Sequence, residues 1–174
     1  MIFIDGSNLY HLLKNIYGDL KSLNEFNFSK FSKLLCRNRK LIRTYYYNAI
    51  LDQKKDREKY RRQQRFFSKL KTIHDFEVII CRMQKDLIDG KIHYSVKEDD
   101  IGIAVNMVKL AFNNAYDTAI LVSTDGDFVP AIKAVKETGK KVENVGFINK
   151  FSWHLKQTCD KLRMLKKDEI DSCF

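Results

Sequence analysis

Short apolar runs alternate with longer amphipathic segments along most of this chain, which is typical of a parallel α/β sheet. Runs rich in β-branched and aromatic residues predict strands at residues 1–4, 41–50, 76–82, 118–123 and 141–147. Apolar residues that recur every three or four positions predict helices at residues 7–17, 28–36, 56–72, 99–112 and 128–138. The run TAILVS is apolar almost throughout, as expected for a strand at the centre of such a sheet.

Two segments depart from this alternation. Residues 84–96 carry Asp89 and Gly90 between β-like flanks, which predicts a hairpin. Residues 150–174 include apolar positions such as Trp153, and we expect a C-terminal helical extension that packs on the domain or forms a homodimer contact. The sequence has one proline and seven glycines and no linker-like stretch, so we expect a single domain over residues 1–174.

Composition narrows the class of partner and the compartment. Lysine and arginine (32) exceed aspartate and glutamate (22), and the formal net charge of +10 favours polyanionic partners such as RNA. No apolar run approaches the roughly 18–20 residues that span a bilayer, and the N-terminus lacks the basic start of a secretory signal. The four cysteines are scattered without ligand spacing, which is typical of reduced thiols. We therefore expect a cytoplasmic protein with no membrane association.

Five acidic residues fall where predicted strands end or a predicted helix begins. Asp5 ends the first strand, and Asp125 and Asp127 follow the strand TAILVS. Asp99 and Asp100 open the helix that precedes that strand. Because open α/β sheets bind ligands at the carboxyl ends of their strands, these side chains are expected to share one pocket. Each acid alone is also explained by an ordinary turn or helix cap. The functional interpretation therefore depends on the five acids lying together.

A pocket of carboxylates predicts a bound cation. Carboxylates that lie close together repel each other, and a divalent cation removes that conflict. Oxygen ligands alone favour Mg²⁺ or Mn²⁺, and such an ion suits phosphodiester hydrolysis because it polarises a phosphoryl oxygen and activates water. Ser7 and Asn8 are candidates for positioning a phosphate, although ordinary helix capping explains them equally well. Ser123 and Thr124 are candidates for hydrogen-bonding the carboxylates.

Three segments together resemble the NYN domains of the PIN-like nuclease superfamily, in particular the LabA-like group. They are FIDGSNLY (residues 3–10), KEDDIGIAVNMV (residues 97–108) and ILVSTDGDFVPAIKAVKETGKKV (residues 120–142). The resemblance extends to about residue 147 and implies a Rossmann-like three-layer α/β/α sandwich with an acidic, metal-binding pocket. The residues that it implies as catalytic, metal-binding carboxylates are Asp5, Asp100, Asp125 and Asp127, with Asn8 beside them.

The middle segment departs from the family pattern. Glu98 and Asp99 occupy a stretch where the family usually carries a small or apolar residue, so Asp99 is a candidate to replace or assist Asp100 as a metal ligand. Asn106 stands where a further aspartate is often seen, although a side chain six residues on need not face the same pocket. Thr124 stands where the family commonly has glycine.

The predicted helix at residues 56–72 carries a group of basic residues. Those at helical spacing are Arg57, Arg61, Arg62 and Arg65, with Tyr60 and Phe66 between them. Arginines contact phosphates and aromatic rings stack on unpaired bases, so this helix is a candidate RNA-binding surface. The alternative is a solvated helix face whose aromatic residues pack inward. A second basic cluster comprises Arg37, Arg39, Lys40 and Arg43.

These observations favour a metal-dependent ribonuclease that hydrolyses single-stranded or structured RNA, in an endonucleolytic manner, at the aspartate cluster. An alternative from a different class is a catalytically silent RNA-binding or adaptor module that retains the pocket, and Asn106 leaves room for it. A haloacid-dehalogenase-type phosphatase is disfavoured because Asp5 is followed by Gly6 and Ser7 rather than by a second aspartate two residues later. The four histidines form no ligand pattern.

Overall fold

A computed structural model of the protein describes residues 1–81, 84–88, 91–95, 98–148 and 150–174. Over 84–88 and 91–95, and at Glu98, it describes the backbone alone. Arg82, Asp89, Gly90 and Val96, which belong to the predicted third strand and hairpin, lie outside the described residues.

Eight strands are described. In chain order they are β1 (Ile2–Asp5), β2 (Thr44–Ala49), β3 (Phe76–Cys81), β4 (Gln84–Ile88), β5 (Lys91–Ser95), β6 (Thr118–Val122), β7 (Lys141–Phe147) and β8 (Lys161–Leu165). Strands β4 and β5 pair antiparallel with each other, as the predicted hairpin requires. The other six form one sheet in the order β3-β2-β1-β6-β7-β8, and all five of its pairings are parallel. The predicted mainly parallel central sheet is confirmed.

Seven α-helices are described, and they flank the strands. They are α1 (Gly6–Tyr17), α2 (Phe28–Cys36), α3 (Arg57–Lys71), α4 (Glu98–Phe112), α5 (Val129–Glu137), α6 (Trp153–Thr158) and α7 (Lys167–Asp171). Successive side chains of a strand point to opposite faces, so β1 contributes Ile2 and Ile4 to one apolar core and Phe3 to another. Helices α1, α2 and α3 cover the first core, and α4, α5 and α6 cover the second. The expected three-layer α/β/α sandwich is confirmed.

The C-terminal segment differs from the prediction of a purely helical extension. Residues 161–165 form β8, which pairs with β7 at the edge of the central sheet. The alternation of this strand is obscured because one of its inward positions is Arg163, which is 9% exposed. Its guanidinium donates to the carbonyl oxygen of Leu34 at 2.7 Å and to the carboxylate of Glu169 at 3.0 Å. Both terminal nitrogens of the guanidinium have acceptors, which offsets much of the cost of burial, whereas Nε is buried without a partner. A sequence pattern cannot show these acceptors.

Gly6 lies where the chain leaves β1 and enters α1, directly against β2. A methyl group on Gly6 would lie 2.4 Å from Cζ of Tyr46 and 2.6 Å from the carbonyl oxygen of Tyr47. Tyr46 is completely buried, so its ring has no space into which to move. Because Gly6 has no side chain, the first turn of α1 can pack directly against the end of β2.

We predict that Gly6→Ala lowers the free energy of unfolding by about 1–3 kcal/mol or more, because the core must shift to admit the methyl group. Gly102→Ala in α4 is the matched control, since its methyl group would lie 3.8 Å from the Tyr47 ring, an ordinary contact. That variant should be neutral or more stable by about 0.5–1 kcal/mol, because alanine favours a helix. Urea denaturation measures both, and equal effects would contradict the packing at Gly6.

Candidate active site

Asp5 is the most constrained acid of the carboxyl edge of the sheet. It ends β1, caps α1 and is 4% exposed. One carboxylate oxygen accepts the backbone N–H of Asn8 at 2.9 Å, and the other accepts the hydroxyl of Ser123 at 3.1 Å. Because β1 and β6 are parallel neighbours, the residues that follow them meet at this edge. The carboxylate of Asp5 thus joins the first strand, the first helix and the central strand.

The loop after β6 continues this hydrogen-bonded network. The hydroxyl of Ser123 accepts the backbone N–H of Asp125 at 3.2 Å, and the carboxylate of Asp125 accepts the backbone N–H of Asp127 at 2.9 Å. The second bond starts a single 3-10 turn, Gly126–Phe128. The side-chain oxygen of Asn8 accepts the N–H of Thr124 at 3.2 Å. Ser123 hydrogen-bonds a carboxylate as predicted, whereas the hydroxyl of Thr124 donates to the side-chain oxygen of Asn8 at 3.3 Å instead. Asn8 thus holds the loop in place.

Asp99 and Asp100 approach the same edge from the first turn of α4. Asp99 is 4% exposed and accepts the backbone N–H of Asp100 at 3.0 Å, and Asp100 is half-buried. Helix α4 packs on β1 and β2, which brings its N-terminus to the end of the strand that carries Asp5. The five acids predicted from the sequence therefore gather at one end of the sheet. We refer to them as the acidic pocket: Asp5, Asp99, Asp100, Asp125 and Asp127.

Electrostatic coupling supports this grouping. Burial and, to a smaller extent, the charges of the four other acids of the pocket together raise the pKa of Asp100 to about 7. Burial also raises the pKa of Asp5 to about 6, with smaller contributions from Asp99 and Asp125, while its bonds from Asn8 and Ser123 lower it. The pKa of Asp99 is raised, chiefly by burial. The pocket therefore holds more negative charge than its surroundings stabilise.

The donor chemistry of the acidic pocket fits a divalent cation. Its ligands are all oxygen, and among the residues whose side chains are described no lysine or arginine forms a salt bridge with them. The spacing of the candidate ligands, however, is too wide to hold an ion. Among the residues whose side chains are described, no three histidine, cysteine, aspartate or glutamate groups lie close enough together to hold a metal ion. A cation would have to draw the carboxylates of the pocket toward one another.

Two residues of this edge were not anticipated from the sequence. Asn144 of β7 is completely buried, and its amide donates to the carbonyl oxygens of Ser123 at 2.9 Å and Leu121 at 3.2 Å, so it fixes the end of β6. A polar residue on the same face of β7 as the buried Val142 was the available signal. His154 lies against the loop after β6, since a methyl group on Gly126 would be 3.6 Å from its Cδ2. No spacing in the sequence indicates that contact.

Asn106, which stands where the family often has an aspartate, lies almost two turns further along α4 than Asp100. Its amide donates to the hydroxyl of Tyr47 at 2.9 Å. Its side chain therefore links α4 to β2, on the face of the helix that packs against the sheet.

The four predicted RNA-contacting arginines of α3 are all exposed: Arg57, Arg61, Arg62 and Arg65. Phe66 packs inward against Phe28 and Tyr46, so the inward-packing alternative holds for that ring, whereas Tyr60 is half-buried. Arg62 and Ser7 line a cleft of about 600 Å³ between α1 and α3. The cleft thus extends from the basic helix to Ser7, two residues after Asp5 in the chain.

The second basic cluster lies at the opposite end of the molecule, because residues 37–43 precede the first residue of β2. Arg39 makes a two-point contact with Glu143, at 3.0 and 2.8 Å, and Arg43 lies 3.2 Å from Glu77. These arginines bridge elements of the fold at the amino end of the sheet, far from the acidic pocket.

Comparisons with known proteins agree with this architecture. The family model of the NYN domain matches residues 1–166. An uncharacterized protein of Methanocaldococcus jannaschii is 41% identical over 66 residues, which are 38% of this chain and 28% of that protein. The solved structure of a protein of unknown function from Vibrio parahaemolyticus superposes with a TM-score of 0.67 at 23% identity, over 96% of this chain and 92% of that one. At this identity the likeness shows the fold, which is PIN-like.

No helix among the described residues is both long enough and apolar enough to cross a bilayer.

The raised pKa values predict how stability depends on pH when metal is removed. Because the folded protein holds protons on Asp5 and Asp100 that the unfolded chain releases at about pH 4, these groups lower stability as the pH rises toward about 7. In EDTA, Asp100→Asn should therefore be more stable than wild type at about pH 8, by about 1–3 kcal/mol after allowance for its partial exposure.

The two proteins should converge at about pH 4, where both carry a neutral group at this position. Asp117→Asn, at the opposite end of β6 and fully exposed, is the control and should change stability by no more than about 0.5 kcal/mol. Denaturant unfolding at several pH values measures these differences. Equal or lower stability of Asp100→Asn at high pH would contradict the account of a crowded pocket.

Proposed function

Because this chain belongs to the NYN domain family, we propose that it is a metal-dependent ribonuclease that hydrolyses RNA phosphodiester bonds endonucleolytically at the acidic pocket. NYN domains belong to the PIN-like nuclease superfamily, whose members are in general hydrolases that use divalent metal ions. The observation that carries the proposal is the pocket itself, in which five carboxyl groups gather at the carboxyl edge of the sheet of a strongly basic protein.

The proposed catalytic and metal-binding groups are Asp5, Asp100, Asp125 and Asp127, with Asp99 assisting. When bound, Mg²⁺ or Mn²⁺ supplies Lewis acidity toward a phosphoryl oxygen and lowers the pKa of an attacking water. Asp5 is fixed by its two hydrogen bonds and provides a rigid anchor. Asp100 has a pKa of about 7 in the absence of a cation. At about pH 7, a metal ion that binds to this carboxyl group would therefore have to displace its proton.

Ser7 and Asn8 have different parts in this proposal. Ser7 lines the cleft that extends to α3, where it is available to a phosphate of the substrate. Asn8 is engaged with Asp5 through its backbone and with Thr124 through its side chain, so it positions the loop that carries Asp125. This favours a supporting role for Asn8 over direct contact with RNA.

The exposed arginines of α3 supply the charge that would hold the RNA backbone. Arg62 lies 3.8 Å from Glu58 in an exposed pair, which is worth little in water and leaves the arginine available to phosphate. Phosphate contacts release counterions, so binding through this helix would weaken with salt.

The second candidate is a catalytically silent RNA-binding or adaptor module. The observation that favours it is the lack of a preformed group of three metal ligands among the described side chains. Such a protein would bind RNA in a salt-sensitive manner and would not cleave it with any divalent ion.

Three narrower assignments belong to the same proposal. A cytoplasmic location is supported by four buried cysteines, each a free thiol, which suit a reducing compartment. Assignment to the LabA-like group is supported by the motifs of the sequence alone. A homodimer is supported by the exposed apolar residues Ile101, Val105 and Phe112 along α4.

We predict that Asp125→Asn reduces metal-dependent cleavage by about two orders of magnitude or more, because it removes one charged ligand. The variant should fold, since asparagine can still accept the N–H of Asp127. End-labelled single-stranded and structured RNAs, incubated with Mn²⁺, Mg²⁺ or EDTA, measure cleavage and separate internal from terminal cuts. Asp117→Asn should cleave like wild type, and cleavage that survives in Asp125→Asn would refute the proposed site.

Charge reversal on α3 tests the RNA-binding surface. The double variant Arg61→Glu/Arg62→Glu should bind RNA about tenfold or more weakly at low salt, and its affinity should depend less on salt concentration. Lys40→Glu/Lys141→Glu is the control, because it makes the same change of charge at the amino end of the sheet, where both lysines are exposed and neither belongs to α3. Fluorescence anisotropy in EDTA measures both, and equal losses would assign the effect to net charge rather than to α3.

A further inference from the structure

Two large aromatic side chains are exposed on the flank of the acidic pocket away from α3. Phe151 and Trp153 follow β7, with 39% and 57% of their surfaces exposed. Exposed aromatic rings are costly to leave in water, and most aromatic residues of this protein lie in its two cores. The position of this pair therefore requires an explanation.

The segment that carries the two rings lies against the acidic loop. A methyl group on Gly126, between Asp125 and Asp127, would lie 3.5 Å from the hydroxyl of Ser152 and 3.6 Å from Cδ2 of His154. Ser152 and His154 directly flank Trp153 in the chain, so Trp153 belongs to the segment that packs against the loop carrying Asp125 and Asp127.

The segment is firmly attached to the fold. Phe147 and Lys150 exchange two backbone hydrogen bonds, and Ser152 caps α6 by accepting the N–H of Leu155. Leu155 is completely buried, so α6 is fixed by its inner face while Trp153 is directed outward. Because Gly146 has no side chain, Phe151 can approach the end of β7.

A cation lies over both rings. The ammonium of Lys156 is 4.9 Å from the ring centre of Trp153 and 5.7 Å from that of Phe151, within the range of cation–π attraction. We call these three residues the aromatic platform: Phe151, Trp153 and Lys156. It combines flat apolar rings with a positive charge, which is the combination that binds bases and phosphates of an unpaired strand.

The chemistry of the platform argues against a protein partner. Lysine is depleted from the centre of protein interfaces, and here the ammonium lies within cation–π range of both rings. A duplex is also a poor partner, because its bases are stacked on one another and offer no free faces.

We propose that the aromatic platform stacks unpaired bases of a single-stranded RNA and delivers the adjoining phosphodiester to the acidic pocket. The substrate class is then single-stranded RNA. The inference rests on the proposed function only for the cleavage of the bound strand. Binding of RNA to the platform can be measured without cleavage.

Trp153 is the only tryptophan of the chain, so its fluorescence reports on the platform directly. In EDTA, a saturating unstructured RNA of about ten nucleotides should quench this fluorescence, because a stacked base contacts the indole. A duplex of the same length, added to equal occupancy as judged by anisotropy, should leave it nearly unchanged. Saturating single-stranded RNA that leaves the emission unaltered would overturn the proposal.

Variants test the same point independently. Trp153→Ala and Phe151→Ala should each weaken binding of the single strand by roughly 5- to 100-fold, and Trp153→Phe should restore much of the loss. Phe112→Ala is the matched control, because Phe112 is 70% exposed at the far end of α4, before the first residue of β6. Equal binding by Trp153→Ala and Phe112→Ala would overturn the proposal, as would loss of self-association in Trp153→Ala with RNA binding intact.

Failure of the platform and failure of the nuclease are distinguishable. Metal-dependent cleavage with unchanged Trp153 emission would refute the platform alone. Quenching by single strands without cleavage under any metal condition would support the platform on a silent RNA-binding module.

Discussion

A carboxylate enclosed at the junction of a strand and a helix is the constraint on which this structure depends. Asp5 ends β1, begins α1 and receives a hydrogen bond from the residue that follows β6. The positive end of the α1 dipole and two donors stabilise its charge, and burial opposes them strongly enough to raise its pKa to about 6. The hydrogen bonds of Asp5 thus hold the carboxyl edge of the sheet together, while its buried negative charge is only partly stabilised.

The surrounding residues hold this edge in place despite that cost. Gly6 brings α1 against Tyr46, and Asn144 fixes the carbonyl oxygen of Ser123 from the neighbouring strand. Among the residues whose side chains are described, basic residues lie on either flank, on α3 and at Lys156, rather than within the pocket. Cationic flanks around an anionic centre are the distribution that a polyanionic substrate and a divalent cation would together neutralise.

Much of this arrangement is predictable from sequence because it depends on local periodicity. The strand TAILVS and its following aspartates mark the centre of the sheet, and parallel pairing then brings Asp5 and Asp125 to one edge. The strand β8 was missed because a buried arginine, Arg163, interrupts its alternation. His154 contacts the loop after β6, and Trp153 lies next to it in the chain, only because α6 packs on that loop, which no spacing along the chain encodes. The basic cluster before β2 resembles the arginines of α3 in sequence. In the fold it lies at the amino end of the sheet, opposite to the acidic pocket.

The most direct test of the central claim, that the acidic pocket requires a divalent cation, is calorimetric titration with Mn²⁺. At about pH 6.5, in two buffers of different ionisation enthalpy, binding should release protons, because the pocket holds them on Asp5 and Asp100 before the ion arrives. At about pH 8 the release should nearly vanish, since both groups are then ionised. Absence of binding, or binding with no proton release at the lower pH, would contradict the account.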